Sequence, residues 1–189
     1  MAIEIEHKWL TKEEVPLDLA SDSYFIKQFY IVNSKWLTVR VRLKEKVDLQ
    51  KAIDSVRGEG DLVLGADSVS LLTVKFASKD GGLSRPEYEW SLFQFWSKVI
   101  SKLFKRLCIT KTRFVIPYKN HMDFEVDYFA GYLKGLVITE LEVKSKDTPL
   151  PLEPWLGRKM TGCEKLYNAY LVRLNQEQAR SLLFELELL

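Results

Sequence analysis

Residues 3–10 read IEIEHKWL, with Glu4, Glu6 and Lys8 alternating against Ile5, His7 and Trp9. Successive side chains of an extended chain point to opposite sides, so a strand here carries two carboxylates and an ammonium in one row. Two arrangements could hold such a row. It can face water on the outside of a sheet, or it can line a charged cavity that holds metal and phosphate. One alternating segment does not choose between them, because a half-solvated antiparallel sheet shows the same pattern.

The same period recurs along the chain. KWLTVRVRLK sets Thr38, Arg40, Arg42 and Lys44 against Leu37, Val39, Val41 and Leu43. SLLTVKFAS aligns Leu71, Thr73 and Lys75, and SRPEYEWSL aligns Arg85, Glu87 and Glu89. ITKTRFVIPY aligns Ile109, Lys111 and Arg113, MDFEVDYF aligns Asp123, Glu125 and Asp127, and VITELEVKS aligns Glu140, Glu142 and Lys144. YFIKQFYIV adds Gln28 and Tyr30 on one side. These segments predict eight strands, mostly too close in sequence for parallel crossovers. An antiparallel, β-rich domain follows, and closure into a barrel is one way to remove its edges.

Other segments break that rhythm. Residues 91–107 carry Leu92, Phe95, Trp96, Val99, Ile100, Leu103, Phe104 and Leu107 at helical spacing, with Ser91 and Gln94 placed as a capping box. Residues 175–189 predict a C-terminal helix opened by Asn175 and Gln178, and its leucines leave a homodimer contact open. Residues 45–68 read as an excursion from a hairpin: Leu49, Ile53 and Val56 form one face of a short helix that Asp48 starts and Gly58 stops. SKDTPLPLEPW is a proline-rich loop, and residues 1–189 read as a single domain.

Bulk properties narrow the function. Apolar residues make up 47% and charged residues 29% of the 189, with a formal net charge of +2. That balance argues against a dedicated nucleic-acid binder. The chain contains no long uncharged run to cross a bilayer, and its charged start does not read as a secretory leader. Neither nucleic acid nor membrane is expected as a partner, and the expected location is cytoplasmic. Cys108 and Cys163 lie apart from any second Cys or His in ligand spacing, which argues against a zinc site, a disulfide framework and thiol catalysis.

The polar rows have a chemistry of their own. Two Glu-x-Glu pairs, Glu4/Glu6 and Glu140/Glu142, would repel on adjoining strands without a cation or basic partner. Carboxylate oxygens suit Mg²⁺ or Mn²⁺, which bridge protein carboxylates to phosphate. Arg40, Arg42, Arg85 and Arg113 offer bidentate donors to phosphate oxygens, and Lys8, Lys75 and Lys111 add positive charge. Both sets in one cavity would suit a polyanion partly balanced by metal.

Taken in order, these pairs resemble the CYTH superfamily, the triphosphate tunnel metalloenzymes. Glu4-x-Glu6-x-Lys8 looks like the family signature. Gln28-x-Tyr30, Arg40-x-Arg42, LTVK ending at Lys75, Arg85-x-Glu87-x-Glu89, Lys111-x-Arg113, Glu125-x-Asp127 and Glu140-x-Glu142 follow in family order. The closing WLGRKMTGCEKLYNAYL is similar to the terminal motif and brings in Lys159, Lys165 and Asn168. The resemblance implies an eight-stranded antiparallel closed barrel or tunnel with peripheral helices and the charged phase inward. It implies metal-dependent hydrolysis of inorganic tripolyphosphate to pyrophosphate and phosphate. Alternatives within reach are a thiamine triphosphatase, an adenylate cyclase, or a noncatalytic polyphosphate-binding protein.

Roles follow from the resemblance as expectations. Lys8, Arg40, Arg42, Lys75, Arg85, Lys111, Arg113 and Lys165 would contact the triphosphate. Glu4, Glu6, Glu140 and Glu142 would hold Mg²⁺ or Mn²⁺. Glu87, Glu89, Glu125 and Asp127 would orient the basic residues or complete the water site. His7 has the opposite parity and reads as a packed histidine rather than a base. One departure is Cys163, which stands where relatives often carry Asp; Glu164 could compensate after a loop shift.

Overall fold

The computed structural model describes residues 2–11, 14–34, 36–65, 68–76, 84–93, 99–100, 102–104, 107–145 and 147–188, with backbone alone at 2–4 and 84–87. The strands are β1 (Ala2–Leu10), β2 (Asp22–Asn33), β3 (Leu37–Val47), β4 (Val69–Phe76), β5 (Ser84–Leu92), β6 (Cys108–Tyr118), β7 (Met122–Phe129), β8 (Val137–Val143) and β9 (Arg158–Lys159). Helix α1 (Leu49–Arg57) lies between β3 and β4, and α2 (Asn168–Leu171) and α3 (Gln176–Glu185) follow β9.

The sheet order is β5-β4-β3-β2-β6-β7-β8-β1-β9, antiparallel throughout. The expected eight-stranded closed barrel does not form: the sheet has nine strands and is not closed into a barrel. The two halves of β1 have different outer neighbours. Ala2–Ile5 register with Ser84–Glu87 of β5, whereas Trp9 and Leu10 register with Lys159 and Arg158 of β9. The sheet therefore curls until β5 meets the first residues of β1, the strand next to its other end, over four residue pairs. Beyond Ile5 the free side of β1 is taken by the β9 segment, with Lys8 N–H donating to Thr161 Oγ1 and Met160 N–H to the Lys8 carbonyl.

Register keeps the charged rows on one face. Residues paired across neighbouring strands point the same way, and the pairs include Lys8↔Glu140, Glu6↔Glu142, Arg113↔Asp127, Gln28↔Arg42, Arg40↔Thr73 and Thr73↔Glu89. The opposite face is apolar and is where the main packing occurs. Trp9, Phe114, Phe124, Val126, Leu141 and Val143 pack with Ala52 and Ile53 of α1, with Val15 and Leu17, and with Trp155. A second outer cluster joins Phe29, Val41 and Leu43 to Leu72, Leu92, Ile100 and Phe104.

A third cluster closes one end of the charged face. Leu10, Ile138, Phe129, Ile109 and Tyr30 have the parity of the charged rows but lie one step beyond them, and they pack under Leu166, Leu171, Ala179, Leu182 and Leu183. Local signals place the covering helices. The Asp48 side chain accepts from Lys51 N–H at the start of α1, and Gly58 (φ +89°) ends it in a left-handed turn. Asn175 and Gln178 form a reciprocal capping box on α3.

The helix expected from Ser91 starts later. Ser91 and Leu92 continue β5, paired with Leu71 and Ser70, because cross-strand bonding outweighs the local cap. Val99, Ile100, Lys102 and Leu103 are helical, and Gln94, Phe95 and Trp96 lie outside the described residues. Among the described residues no helix is long and apolar enough to cross a membrane.

Phe124 is almost fully buried, 5.0 Å from the Trp155 ring and 4.8 Å from Tyr118. Phe124→Ala should cost about 3–5 kcal/mol in urea unfolding; a loss under 1 kcal/mol would mean that this outer cluster does not carry the fold.

Candidate functional site

The site is built outward from Arg113 on β6. Its guanidinium grips Asp127 of β7 with two donors, Nε to Oδ1 at 2.6 Å and Nη2 to Oδ2 at 2.6 Å. Nη1 donates to Glu125, and Nη2 also reaches Glu140 Oε2 on β8 at 2.9 Å. The planar fork suits this bidentate role. Lys111, two residues away on the same face, is fully buried and donates to Asp127 Oδ2. On β1, the Lys8 ammonium lies 2.5 Å from Glu140 Oε1 and 3.2 Å from Glu6 Oε1, with the Tyr167 ring centre 5.6 Å away.

A second cluster sits on β2 and β3. Fully buried Gln28 donates from Nε2 to Tyr30 Oη at 2.5 Å and accepts from Arg42 Nε at 3.3 Å. Arg40 is buried beside Tyr30. On β4 and β5, Thr73 donates to Glu89 Oε2 at 3.1 Å.

Electrostatic coupling links the two clusters. Burial pushes Arg42 down to about 10, aided by Arg40 and Arg113, while Glu89 and Asp127 oppose the shift. Charges on β3, β5, β6 and β7 therefore act on one another across the face. Burial pushes Lys111 down to about 8, with Arg113 adding to it against Asp127 and Glu140. For Asp127 burial opposes ionisation, but Arg113 and Lys111 outweigh it and hold the carboxyl below its ordinary value. Glu140 is likewise held well below the carboxylate range, since Lys8, Arg113 and Lys111 overcome its burial. Lys8 is raised despite burial, by Glu140 and Glu6.

The predicted site residues divide accordingly. Glu6, Lys8, Arg40, Arg42, Lys111, Arg113, Glu125, Asp127 and Glu140 come together, while Glu89 borders them. Lys75 is half-buried on the same face, in register with Glu87. Glu4 and Arg85 are in register with each other at the β1–β5 contact. Glu142 is exposed at the far end of its row. Lys165 stands elsewhere, exposed and paired with Glu185 of α3 at 2.6 Å. His7 is buried on the apolar face, 6.2 Å from the Trp9 ring; burial, then Lys159, lowers its pKa. Cys163 is half-buried against the apolar closing layer.

Two features escaped the sequence reading. Thr161 and Tyr167 position Lys8, and only the fold brings them to β1. The closing layer, in contrast, had a signal: Lys8, Asp127, Lys111 and Glu140 each have an apolar residue two positions away, at Leu10, Phe129, Ile109 and Ile138.

Among the described residues no group of three or more His, Cys, Asp or Glu side chains is gathered for a metal. The donors nonetheless fit a hard divalent ion. They are carboxylate oxygens, and a cation, the Lys8 ammonium, already bridges two of them.

The curled antiparallel sheet thus gathers acids and bases on one face. No protein-family model matches the chain. It is 28% identical over 174 residues to the inorganic triphosphatase of Acetivibrio thermocellus, covering 92% of this chain and 95% of that protein. It is 29% identical over 125 residues to the inorganic triphosphatase of Nitrosomonas europaea, covering 60% and 81%. The solved inorganic triphosphatase NE1496 shares its fold at a TM-score of 0.57, with 20% identity over 93% of this chain and 97% of that one. The PH1819 protein of Pyrococcus horikoshii OT3 shares it at 0.53, with 20% identity over 76% and 80%. The chain is related to bacterial inorganic triphosphatases, in line with the resemblance of its ordered motifs to the CYTH superfamily.

Asp127→Asn leaves Arg113 and Lys111 buried without their carboxylate and should cost about 3–5 kcal/mol at pH 7. A carboxyl held below its unfolded value stabilises the fold above about pH 4 and stops doing so as pH falls through its lower folded value. The gap between wild type and variant in urea unfolding should therefore narrow below pH ~4. A gap that stays constant down to pH 2 would contradict the pairing.

Proposed function

We propose that this chain hydrolyses inorganic tripolyphosphate to pyrophosphate and phosphate, using Mg²⁺ or Mn²⁺. The observation that supports it most is the convergence of Arg40, Arg42, Arg113 and Lys8 on the same buried face as Glu6, Glu125, Asp127 and Glu140. A polyanion with bound metal supplies both signs of charge that this face is built to meet. Two related proteins bear the name inorganic triphosphatase, which favours that substrate class.

Arg40 and Arg42, held by Tyr30 and Gln28, would grip nonbridging oxygens, with Lys75 and Arg85 extending the grip along the face. Arg113, fixed by Asp127, would neutralise charge at the transferred phosphoryl group, and Lys111 would keep Asp127 ionised and in place. Glu4, Glu6, Glu140 and Glu142 would hold the metal, which supplies charge neutralisation and a more acidic water. In the reaction, the oxygen of water bonds to the terminal phosphorus while the bond to the bridging oxygen breaks. The leaving pyrophosphate takes that electron pair, and a proton is released to solvent. Positioning and charge stabilisation supply most of the rate in such transfers. The free thiols Cys108 and Cys163 fit a reducing, cytoplasmic setting.

The test compares products from tripolyphosphate, ATP and thiamine triphosphate with and without metal. Phosphate and pyrophosphate released from tripolyphosphate, only with metal and at the highest kcat/KM of the three, is the expected result. Preferred formation of cyclic AMP or of thiamine diphosphate would replace this reading, as would tight binding without turnover. Arg42→Ala should lower kcat/KM by about 10²-fold, and an unchanged value would remove Arg42 from the site.

A further inference from the structure

Lys8 has an unusual seat for a residue meant to hold phosphate. Its ammonium is buried between the two carboxylates best placed for metal, 2.5 Å from Glu140 and 3.2 Å from Glu6. The second oxygen of Glu140 already accepts from Arg113. Thr161 and Met160 clamp the Lys8 backbone, so the side chain alone is free to change position. A Mg²⁺ ion sits about 2.0–2.1 Å from its oxygens, and it cannot share this gap with an ammonium at hydrogen-bonding distance from the same atoms. Two cations so close in a buried setting repel strongly.

We infer that Lys8 is a built-in counter-cation whose ammonium occupies the metal's place until an incoming triphosphate draws it away. The inference rests on the triphosphatase reading and adds an order to it. Withdrawn from Glu6 and Glu140, a buried ammonium needs another anion, and phosphate oxygens on the same face supply one. Metal and triphosphate then favour each other's binding, reciprocally, because linkage requires the coupling to be equal in both directions. A metal ion arriving alone must displace Lys8 with no compensation, and it binds weakly. The same lysine also keeps Glu6 and Glu140 from repelling each other in the metal-free protein.

The test uses Mn²⁺ alone, with free Mn²⁺ followed by its paramagnetic resonance signal and no phosphate present. Lys8→Met keeps the stem and removes the charge; it should bind Mn²⁺ at least about fivefold more tightly than wild type. Lys8→Arg keeps the charge and should stay close to wild type. Equal or weaker Mn²⁺ binding by a folded Lys8→Met would overturn the inference. A second measurement leaves the wild-type sequence intact: the ¹³Cε resonance of Lys8, assigned by its loss in Lys8→Arg. It should hold its position when Mg²⁺ is added and move when tripolyphosphate follows. A shift with Mg²⁺ alone, or none with both, would also overturn it. Failure of the triphosphatase reading would appear separately, as absent phosphate release, while the Mn²⁺ titration still decides the role of Lys8.

Discussion

The structure depends on the pairing of buried charges, and the Arg113–Asp127 fork is its centre. Removing two ions from water costs several kcal/mol each, and only close geometry with further hydrogen bonds offsets that cost. Here Asp127 receives Arg113 and Lys111, and Glu140 receives Arg113 and Lys8. From β6 through β7 and β8 to β1 the order is base, acid, acid, base, and Arg113 reaches across β7 to Glu140 so that each acid meets a cation. This fixes the register of four strands as firmly as their backbone bonds do, because a slip of one residue would send every charge into the apolar face.

The apolar packing lies on the other side of the same strands, which is what frees the inner face for chemistry. Helix α1, the Val15–Leu17 segment and Trp155 cover the β1, β6, β7 and β8 exterior. The C-terminal helices close one end of the charged face through Leu10, Ile109, Phe129 and Ile138. Apolar stabilisation thus comes from the outer clusters and one end layer, and the middle of the inner face carries paired charges instead of a hydrophobic core. Gln28 and Tyr30 belong to this division: their polar ends bond to each other and border Arg42 and Arg40, while the Tyr30 ring packs in the closing layer.

Much of this was legible in the chain. Period-two alternation marked β1 to β8, and within each strand it set Arg113, Asp127, Glu140 and Lys8 on the side opposite their apolar neighbours. Asp48, Gly58, Asn175 and Gln178 are local signals, and each acts locally in the structure. What failed depends on distant partners. Ser91 looked like a cap because its pairing with Leu71 lies twenty residues back in sequence. The meeting of β1 with both β5 and β9 depends on how far the sheet curls, and alternation carries no measure of that. Lys165 followed a motif into the candidate set, whereas Glu185, near the other end of the C-terminal segment, takes its charge at the surface. Alternation also could not say which acids would be held by which bases.

The most direct examination of the account is a crystal structure with Mn²⁺ and a nonhydrolysable triphosphate, using anomalous scattering to locate the metal. The account predicts metal at Glu6 and Glu140 and phosphate oxygens against Arg40, Arg42 and Arg113, all on the charged face. Triphosphate bound on the outer surface, with the inner ion pairs undisturbed and no metal among them, would contradict it.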